Sequence, residues 1–251
     1  MLVMGILNVT PDSFADGGKH NDFESAVARG LEMIAEGVDF IDVGGESTRP
    51  GADRVSEAEE IARTIPVINE LAKHGAKISI DTMRASTAEA AINAGASIIN
   101  DVSGGLADPL MLQTAARLKF PYIAMHWRGQ SKDMNSRAIY TDVVSDVISE
   151  LHERIDAALD AGISRSNLII DPGLGFAKDA EHNWAIIEAI DQFVAMGYPV
   201  LVGASRKRFL GGDNPDQREQ ATIDLTKRLG STGVWAVRVH SVKPHKEVLS
   251  S

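Results

Sequence analysis

The strongest constraint in this chain is a rhythm. Short apolar, β-branched runs recur from one end to the other, at residues 2–8, 39–45, 77–82, 97–103, 121–127, 168–173, 199–205 and 234–241. Between them, residues 23–36, 56–73, 85–94, 109–118, 140–161, 180–196 and 216–229 place apolar side chains three and four positions apart, the spacing of a helix with one buried face. Several of these stretches carry helix-end signals, such as Ser56 with Glu59 three residues on, or Gly75, Gly95, Gly162 and Gly197 just past the last turn. Runs such as Ile169-Ile170 and Pro199-Val200-Leu201-Val202 are continuously apolar, which suits parallel strands covered on both faces. A β/α unit takes ~30 residues, so eight of them take ~240, and the chain has 251. The expected fold is α/β: a single (β/α)8 TIM barrel spanning residues 1–251, with mobile βα loops and a short final helix, since 242–251 leave only a few turns. A doubly wound open sheet is the alternative.

Composition narrows the function. Lys+Arg number 25 against Asp+Glu 35, a net charge of −10 that disfavours nucleic acid as a partner. Hydrophobic residues at 44% and charged ones at 24% are enough for a packed core. With no cysteine, disulfides, thiolate nucleophiles and Cys-containing zinc sites are excluded, and a reducing cytoplasm fits. No apolar run approaches the ~18–20 residues that span a bilayer, so no membrane partner is expected. Met1 leads directly into the first apolar run, so no signal peptide is expected, and Asn8-Val9-Thr10 is not read as a glycosylation site.

In a barrel, chemistry collects where strands run out into the βα loops. Those positions are polar here: Asn8, Glu46-Ser47-Thr48-Arg49, Asp81, Asn100-Asp101, His126, Asp171, Ser205-Arg206-Lys207 and Arg238-Val239-His240. Any one of them reads equally well as a helix cap or turn former; eight coinciding ends do not. Asp81, Asn100 and Asp171 offer carboxylates and an amide that suit a heterocycle with N–H donors. Arg206, Lys207, Arg208, Arg238 and His240 suit an anion near strands 7 and 8, although Arg206 and Arg208 could merely solvate a helix start. No Walker, G-x-G-x-x-G or H-E-x-x-H pattern occurs; Gly173-Leu174-Gly175-Phe176-Ala177-Lys178 fails the second at its last glycine. His20, His74, His152, His182 and His245 are scattered and read as surface residues. Ser205 lacks the G-x-S-x-G context of a hydrolase nucleophile.

Taken together, these segments resemble a known family. Gly5-Ile6-Leu7-Asn8-Val9-Thr10-Pro11-Asp12-Ser13-Phe14 with Asp16-Gly17-Gly18, and Asp42-Val43-Gly44-Gly45-Glu46-Ser47-Thr48-Arg49-Pro50-Gly51, are similar to the two signatures of dihydropteroate synthases. The resemblance continues in Ser79–Thr82, Ile99–Asp101, Met125-His126, Asp171–Phe176, Ser205–Phe209 and Arg238–His240. It implies a pterin-binding barrel of folate biosynthesis, a transferase that condenses 6-hydroxymethyl-7,8-dihydropterin diphosphate with p-aminobenzoate and is a target of sulfonamides. The resemblance also implies a dissociative reaction. Asp81, Asn100, Asp171 and Lys207 would line the pterin pocket, and Asn8, Arg238 and His240 would hold the diphosphate, with Asn8 also reaching Mg²⁺. Phe14, Thr48, Arg49, Phe176 and Ser205 would form the aminobenzoate pocket. Asp16, Lys207, Arg238 and His240 would act in catalysis. A cytoplasmic homodimer is implied too, although Ser241 stands where the family commonly has Asp and the last helix is short. A methyl-transferring pterin barrel and a non-enzymatic paralogue are the rival readings.

Overall fold

The computed structural model describes residues 1–10, 18–46, 55–129 and 134–250. Strands β1 (Leu2–Asn8), β2 (Phe40–Gly44), β3 (Ile78–Asp81) and β4 (Ile98–Asp101) alternate with helices α1 (Gly18–Ala35), α2 (Glu57–Lys73), α3 (Ala85–Asn93) and α4 (Met111–Leu118). The second half continues with β5 (Tyr122–Met125), α5 (Val143–Asp160), β6 (Leu168–Asp171), α6 (Ala180–Glu188), α7 (Ile190–Val194), β7 (Leu201–Val202), α8 (Glu219–Leu229), β8 (Ala236–Val239) and α9 (Lys243–Ser250). All strand pairs are parallel, in the order β6-β5-β4-β3-β2-β1-β8-β7. A bridge between Ile170 and Val200 joins the two outer strands, with the Ile170 N–H donating to the Pro199 carbonyl at 3.0 Å. The ring is therefore closed, and the open-sheet alternative, which needs a reversal of strand order, is excluded.

Closure explains the continuously apolar runs. Alternate residues point into the barrel, where Met4, Ile98, Ile123, Ile169, Leu201 and Ala236 form one buried cluster. Their neighbours along the strands, such as Ile41, Ile80, Ile99 and Val237, face the surrounding helices in a second, larger cluster. Both faces of most strands are thus apolar, with Asp42 and Ser79 as buried polar exceptions within β2 and β3.

The helix-end signals are realised locally. Ser56 Oγ accepts from the Glu59 N–H at 3.2 Å, and Asp179 caps α6 through the His182 N–H at 2.9 Å. Three expectations need correction. The stretch 180–196 is two helices, broken at Ala189 (φ −101°, ψ 22°). The stretch 216–229 begins as a 3₁₀ turn over Asp216–Arg218 before α8. Strand 7 keeps only Leu201–Val202 in the ladder, because Pro199 has no N–H to give and residues 203–205 turn out toward the barrel mouth. The short final helix is present as α9, and His245 on it is fully buried, with Nδ1 2.8 Å from Thr226 Oγ1. Reading His245 as a surface residue is thus also corrected: Thr226 on α8 supplies the polar partner that lets an imidazole sit in that seam.

Candidate active site

The C-terminal ends of the strands surround a cleft of about 450 Å³ lined by Asn100, Asp171, Phe176, Lys207, Arg238 and His240, among others. Its floor is organised by Arg238, which points inward from β8. Arg238 Nε donates to Asp42 Oδ2 at 2.6 Å and Nη2 to Asp81 Oδ2 at 2.7 Å, while Asn100 Nδ2 donates to the same Asp42 oxygen at 3.0 Å. Four strands are thus tied through one guanidinium and one carboxylate. Burial works against the charge of Arg238, but Asp42 and Asp81 outweigh it and hold the group firmly protonated. Burial pushes the Asp81 carboxyl up to about 7; Arg238 opposes that rise and Asp42 adds to it. Asp42 Oδ1 and Ser79 Oγ, on adjacent strands, are buried and meet no hydrogen-bond partner among the described residues.

Asp171 ends β6 and accepts from the Gly173 N–H at 2.7 Å. Burial raises its pKa, against that hydrogen bond and the positive charges of Lys207, Lys178 and Arg238. Lys207 donates to the Leu174 carbonyl and sits 4.5 Å over the Phe176 ring, and burial pulls its ammonium down to about 8. Ser205 Oγ lies 2.9 Å from His240 Nδ1 and also accepts from the His240 backbone N–H at 3.2 Å, fixing the imidazole over the cleft.

Of the basic residues near strands 7 and 8, Lys207, Arg238 and His240 face the cleft. Arg206, in a left-handed conformation (φ 57°), instead bonds Glu219 at 2.5 Å and Ser241 Oγ at 2.9 Å, and Arg208 is exposed. Arg206 therefore solvates the start of α8, and Ser241 serves that contact rather than the cleft. Asn8 ends β1, partly buried; a Cβ on Gly44 would come within 3.8 Å of Asn8 Oδ1 and 3.7 Å of Asp81 Oδ2. Asp81 Oδ2 is taken by Arg238, so Asn8 Oδ1 is the hard oxygen left at this edge, of a kind that fits a magnesium ion completed by phosphate oxygens and water. Among the described residues no group of three or more His, Cys, Asp or Glu could hold a metal alone.

Phe14, Asp16, Thr48 and Arg49 lie outside the described residues. The margins of the second loop are anchored, however. Arg84 bonds Glu60, Glu46 at 2.9 Å and the Val55 carbonyl at 2.6 Å, and Arg63 holds the Gly45 carbonyl at 2.9 Å. Residue reasoning missed Asp42, although it shares strand parity with Gly44 and so must point inward. It also missed Lys178, which is buried beneath Asp171 and Phe176.

A closed barrel with carboxylates, an amide and cationic groups converging at its C-terminal mouth defines a pterin-binding enzyme, and residues 4–240 match the family described as "Pterin binding enzyme". The dihydropteroate synthase of Mycobacterium leprae is 48% identical over 257 residues, covering 98% of this chain and 90% of that protein. The structure of Xanthomonas albilineans dihydropteroate synthase with 4-aminobenzoic acid superposes with a TM-score of 0.93 at 42% identity, covering 99% of this chain and 90% of that one. Yersinia pestis dihydropteroate synthase in a sulfonamide drug complex gives a TM-score of 0.93 at 38% identity, covering 99% and 92%. The chain belongs to the dihydropteroate synthase family, and it is an enzyme, a transferase.

Proposed function

We propose that residues 1–251 act as one pterin-binding barrel that joins 6-hydroxymethyl-7,8-dihydropterin diphosphate to p-aminobenzoate, yielding 7,8-dihydropteroate and diphosphate. The observation that carries this reading is the single cleft shared by Asn100, Asp171, Lys207, Arg238 and His240. Asp171 accepts from the amino and ring N–H edge of the pterin, flanked by Asn100, Asp81 and Lys207. Asn8, Arg238 and His240 hold the diphosphate; Asn8 would also hold Mg²⁺, which would supply further neutralisation of the diphosphate charge.

The reaction is dissociative. The bond from the pterin methylene carbon to the diphosphate oxygen breaks with its electron pair leaving on diphosphate. The arylamine nitrogen then forms the new C–N bond and gives up one proton to the released diphosphate or to water. Arg238 and His240 stabilise the departing charge, and Asp16 faces the methylene cation. Phe14, Thr48, Arg49, Phe176 and Ser205 seat the aminobenzoate, the same pocket that a sulfonamide would occupy. The resemblance to dihydropteroate synthases supports reading the protein as a cytoplasmic homodimer, with the short last helix weighing against a full dimer interface. No helix among the described residues is long and apolar enough to cross a membrane.

The test is an incubation with both substrates and Mg²⁺ in which diphosphate and dihydropteroate are measured together. Equimolar appearance of both is expected; binding without turnover would favour a non-enzymatic paralogue. Asp171→Asn should abolish pterin binding by calorimetry, and Arg49→Ala should raise the KM for aminobenzoate. Chelation of Mg²⁺ should weaken pterin diphosphate binding and leave the bare pterin unaffected.

A further inference from the structure

A further buried lysine, unused by the reaction, stands behind the cleft: burial pulls the Lys178 ammonium down to about 7, and the Asp171 carboxylate opposes that fall. Lys178 follows the turn after β6, is 8% exposed, and directs its ammonium at three acceptors: His126 Nδ1 at 2.9 Å, the Gly173 carbonyl at 3.0 Å and the Phe176 carbonyl at 3.1 Å. An ammonium has three N–H groups and no lone pair, so all of its capacity is spent here. Nδ1 of His126 must then accept, which puts the imidazole proton on Nε2, 2.9 Å from Glu150 Oε2. Burial, with the charge of Lys178 beside it, pulls His126 down to about 4, in agreement with a neutral ring. Glu150 also takes Arg128, whose guanidinium lies 3.8 Å over the Tyr140 ring, and the Tyr140 hydroxyl donates to the Ala177 carbonyl at 2.9 Å.

What these groups hold is an awkward piece of chain. Gly173 (φ 69°), Gly175 (φ 75°) and Ala177 (φ 47°) are all left-handed, and Ala177 lacks the glycine that this conformation favours. Such a turn points successive carbonyls away from any ladder; the Gly173 carbonyl accepts from the Phe176 N–H at 3.1 Å within the turn, and the others need donors from outside. From behind, Lys178 takes Gly173 and Phe176 and Tyr140 takes Ala177; from the cleft, Lys207 takes Leu174. A Cβ on Gly173 would come within 2.4 Å of the His126 carbonyl and one on Gly175 within 2.7 Å of Lys207 Cδ, so the turn is clasped tightly on both sides.

We propose that Lys178 is a positioning residue for the condensation: with His126 and Glu150 behind it, it fixes the 173–177 turn and thereby sets Phe176 on the arylamine side of the cleft. This rests on the reading above that Phe176 borders the aminobenzoate pocket. Lys178→Met keeps the length of the side chain and removes all three donors. In steady state it should raise the KM for aminobenzoate about tenfold while dihydropterin diphosphate affinity, read by calorimetry, stays within about threefold. Tyr140→Phe, which only frees the Ala177 carbonyl, should raise the aminobenzoate KM about twofold to threefold. Hydrogen exchange without substrates should show the amides of residues 174–176 exchanging faster in both variants.

An aminobenzoate KM within about twofold of the unmodified value in folded Lys178→Met, or an equal loss for both substrates, overturns the proposal. Should Lys178→Met not fold, Tyr140→Phe decides, an unchanged KM and unchanged exchange counting against it. If the unmodified chain makes no dihydropteroate, the functional reading fails by itself. The exchange measurement then still judges the anchor: unaltered exchange in both variants removes it.

Discussion

At the scale of single residues, the cleft depends on a buried guanidinium that two carboxylates keep in place. Asp42 has no exposure and serves both Arg238 and Asn100 through one oxygen. Asp42→Asn removes the charge opposite Arg238 and leaves a buried cation less than fully paired; a stability loss of about 3 kcal/mol in urea unfolding is expected. Because Arg238 would lose its orientation, kcat/KM for the pterin diphosphate should fall about tenfold or more as well. An unaltered kcat/KM would mean that Asp81 alone aims Arg238. A second prediction concerns acid. His126 has a folded pKa of about 4 against 6.5 unfolded, with Lys178, Glu150 and Arg128 the charged groups facing it. Between those values the unfolded chain binds the extra proton, so the contribution is complete above pH 6.5 and is lost as pH falls toward 4; its limit is on the order of 3 kcal/mol. His126→Gln should therefore show a shallower fall of Tm between pH 6.5 and 4.5 than the unmodified protein. Glu150, held down to about 2 chiefly by its hydrogen bonds to His126 and Arg128 despite the opposing effect of burial, contributes above its usual range and is lost only at lower pH. Neither Asp42 nor Lys178 was legible as functional in the sequence. Asp42 sits inside a largely apolar run, on its inner face by strand parity, and Lys178 is a lone lysine before a helix; only closure of the ring shows what each one faces.

At the scale of elements, the strands and most helix ends could be read directly, because their causes are local. Ser56→Ala removes the acceptor for the Glu59 N–H and should cost about 1 kcal/mol. Pro66 lies inside α2 on its exposed face, where it leaves the Ala62 carbonyl without an intrahelical donor. Pro66→Ala should accordingly raise Tm, corresponding to about 1–3 kcal/mol, and an unchanged Tm would show that the missing hydrogen bond costs nothing at this exposed position. Features with non-local causes escaped. The break at Ala189 carries no glycine or proline, so the periodic pattern of 180–196 runs straight through it. Strand 7 looked as long as the others because 199–205 is equally apolar, yet the ladder to β8 takes only two of its residues. Arg206 looked like an anion ligand because its neighbours are; its left-handed backbone turns it to Glu219 instead. Sequence adjacency cannot distinguish the two directions that such a turn allows.

For the whole molecule, the formal charge of −10 is a poor guide to the field at the mouth, where Lys207, Arg238 and His240 gather about one cleft. The other large-scale matter is how a chain with so little length left completes the ring. Helix α9 does it with few residues. Lys246 reaches Asp39 Oδ2 at 2.9 Å, the same oxygen that accepts the Val3 N–H at 2.7 Å, so α9 clamps the start of β1. His245 fills the seam against α8, bonded to Thr226 and 3.6 Å from Glu219 Oε1, while Glu219 holds Arg206 next to Ser205 and Lys207. The His245 ring thus packs the last helix against the Glu219 carboxylate that holds Arg206 at the edge of the cleft. Ending the protein after Val242 should lower Tm by more than 5 °C, at about 2–4 °C per kcal/mol for a chain of this size, since it exposes Thr226 and Glu219 and unclamps β1. It should also weaken pterin diphosphate binding more than aminobenzoate binding, because Glu219, which holds Arg206 next to Ser205 and Lys207, loses the His245 ring beside it and places Arg206 less firmly. His245→Ala should reproduce part of the Tm loss without unclamping β1. If the truncated protein keeps both its Tm and its diphosphate affinity, α9 is only a cover. Sedimentation of the same pair of proteins would separate effects on the barrel from effects on a dimer: loss of Tm with unchanged mass assigns α9 to ring closure, whereas a fall to monomer mass assigns it to assembly.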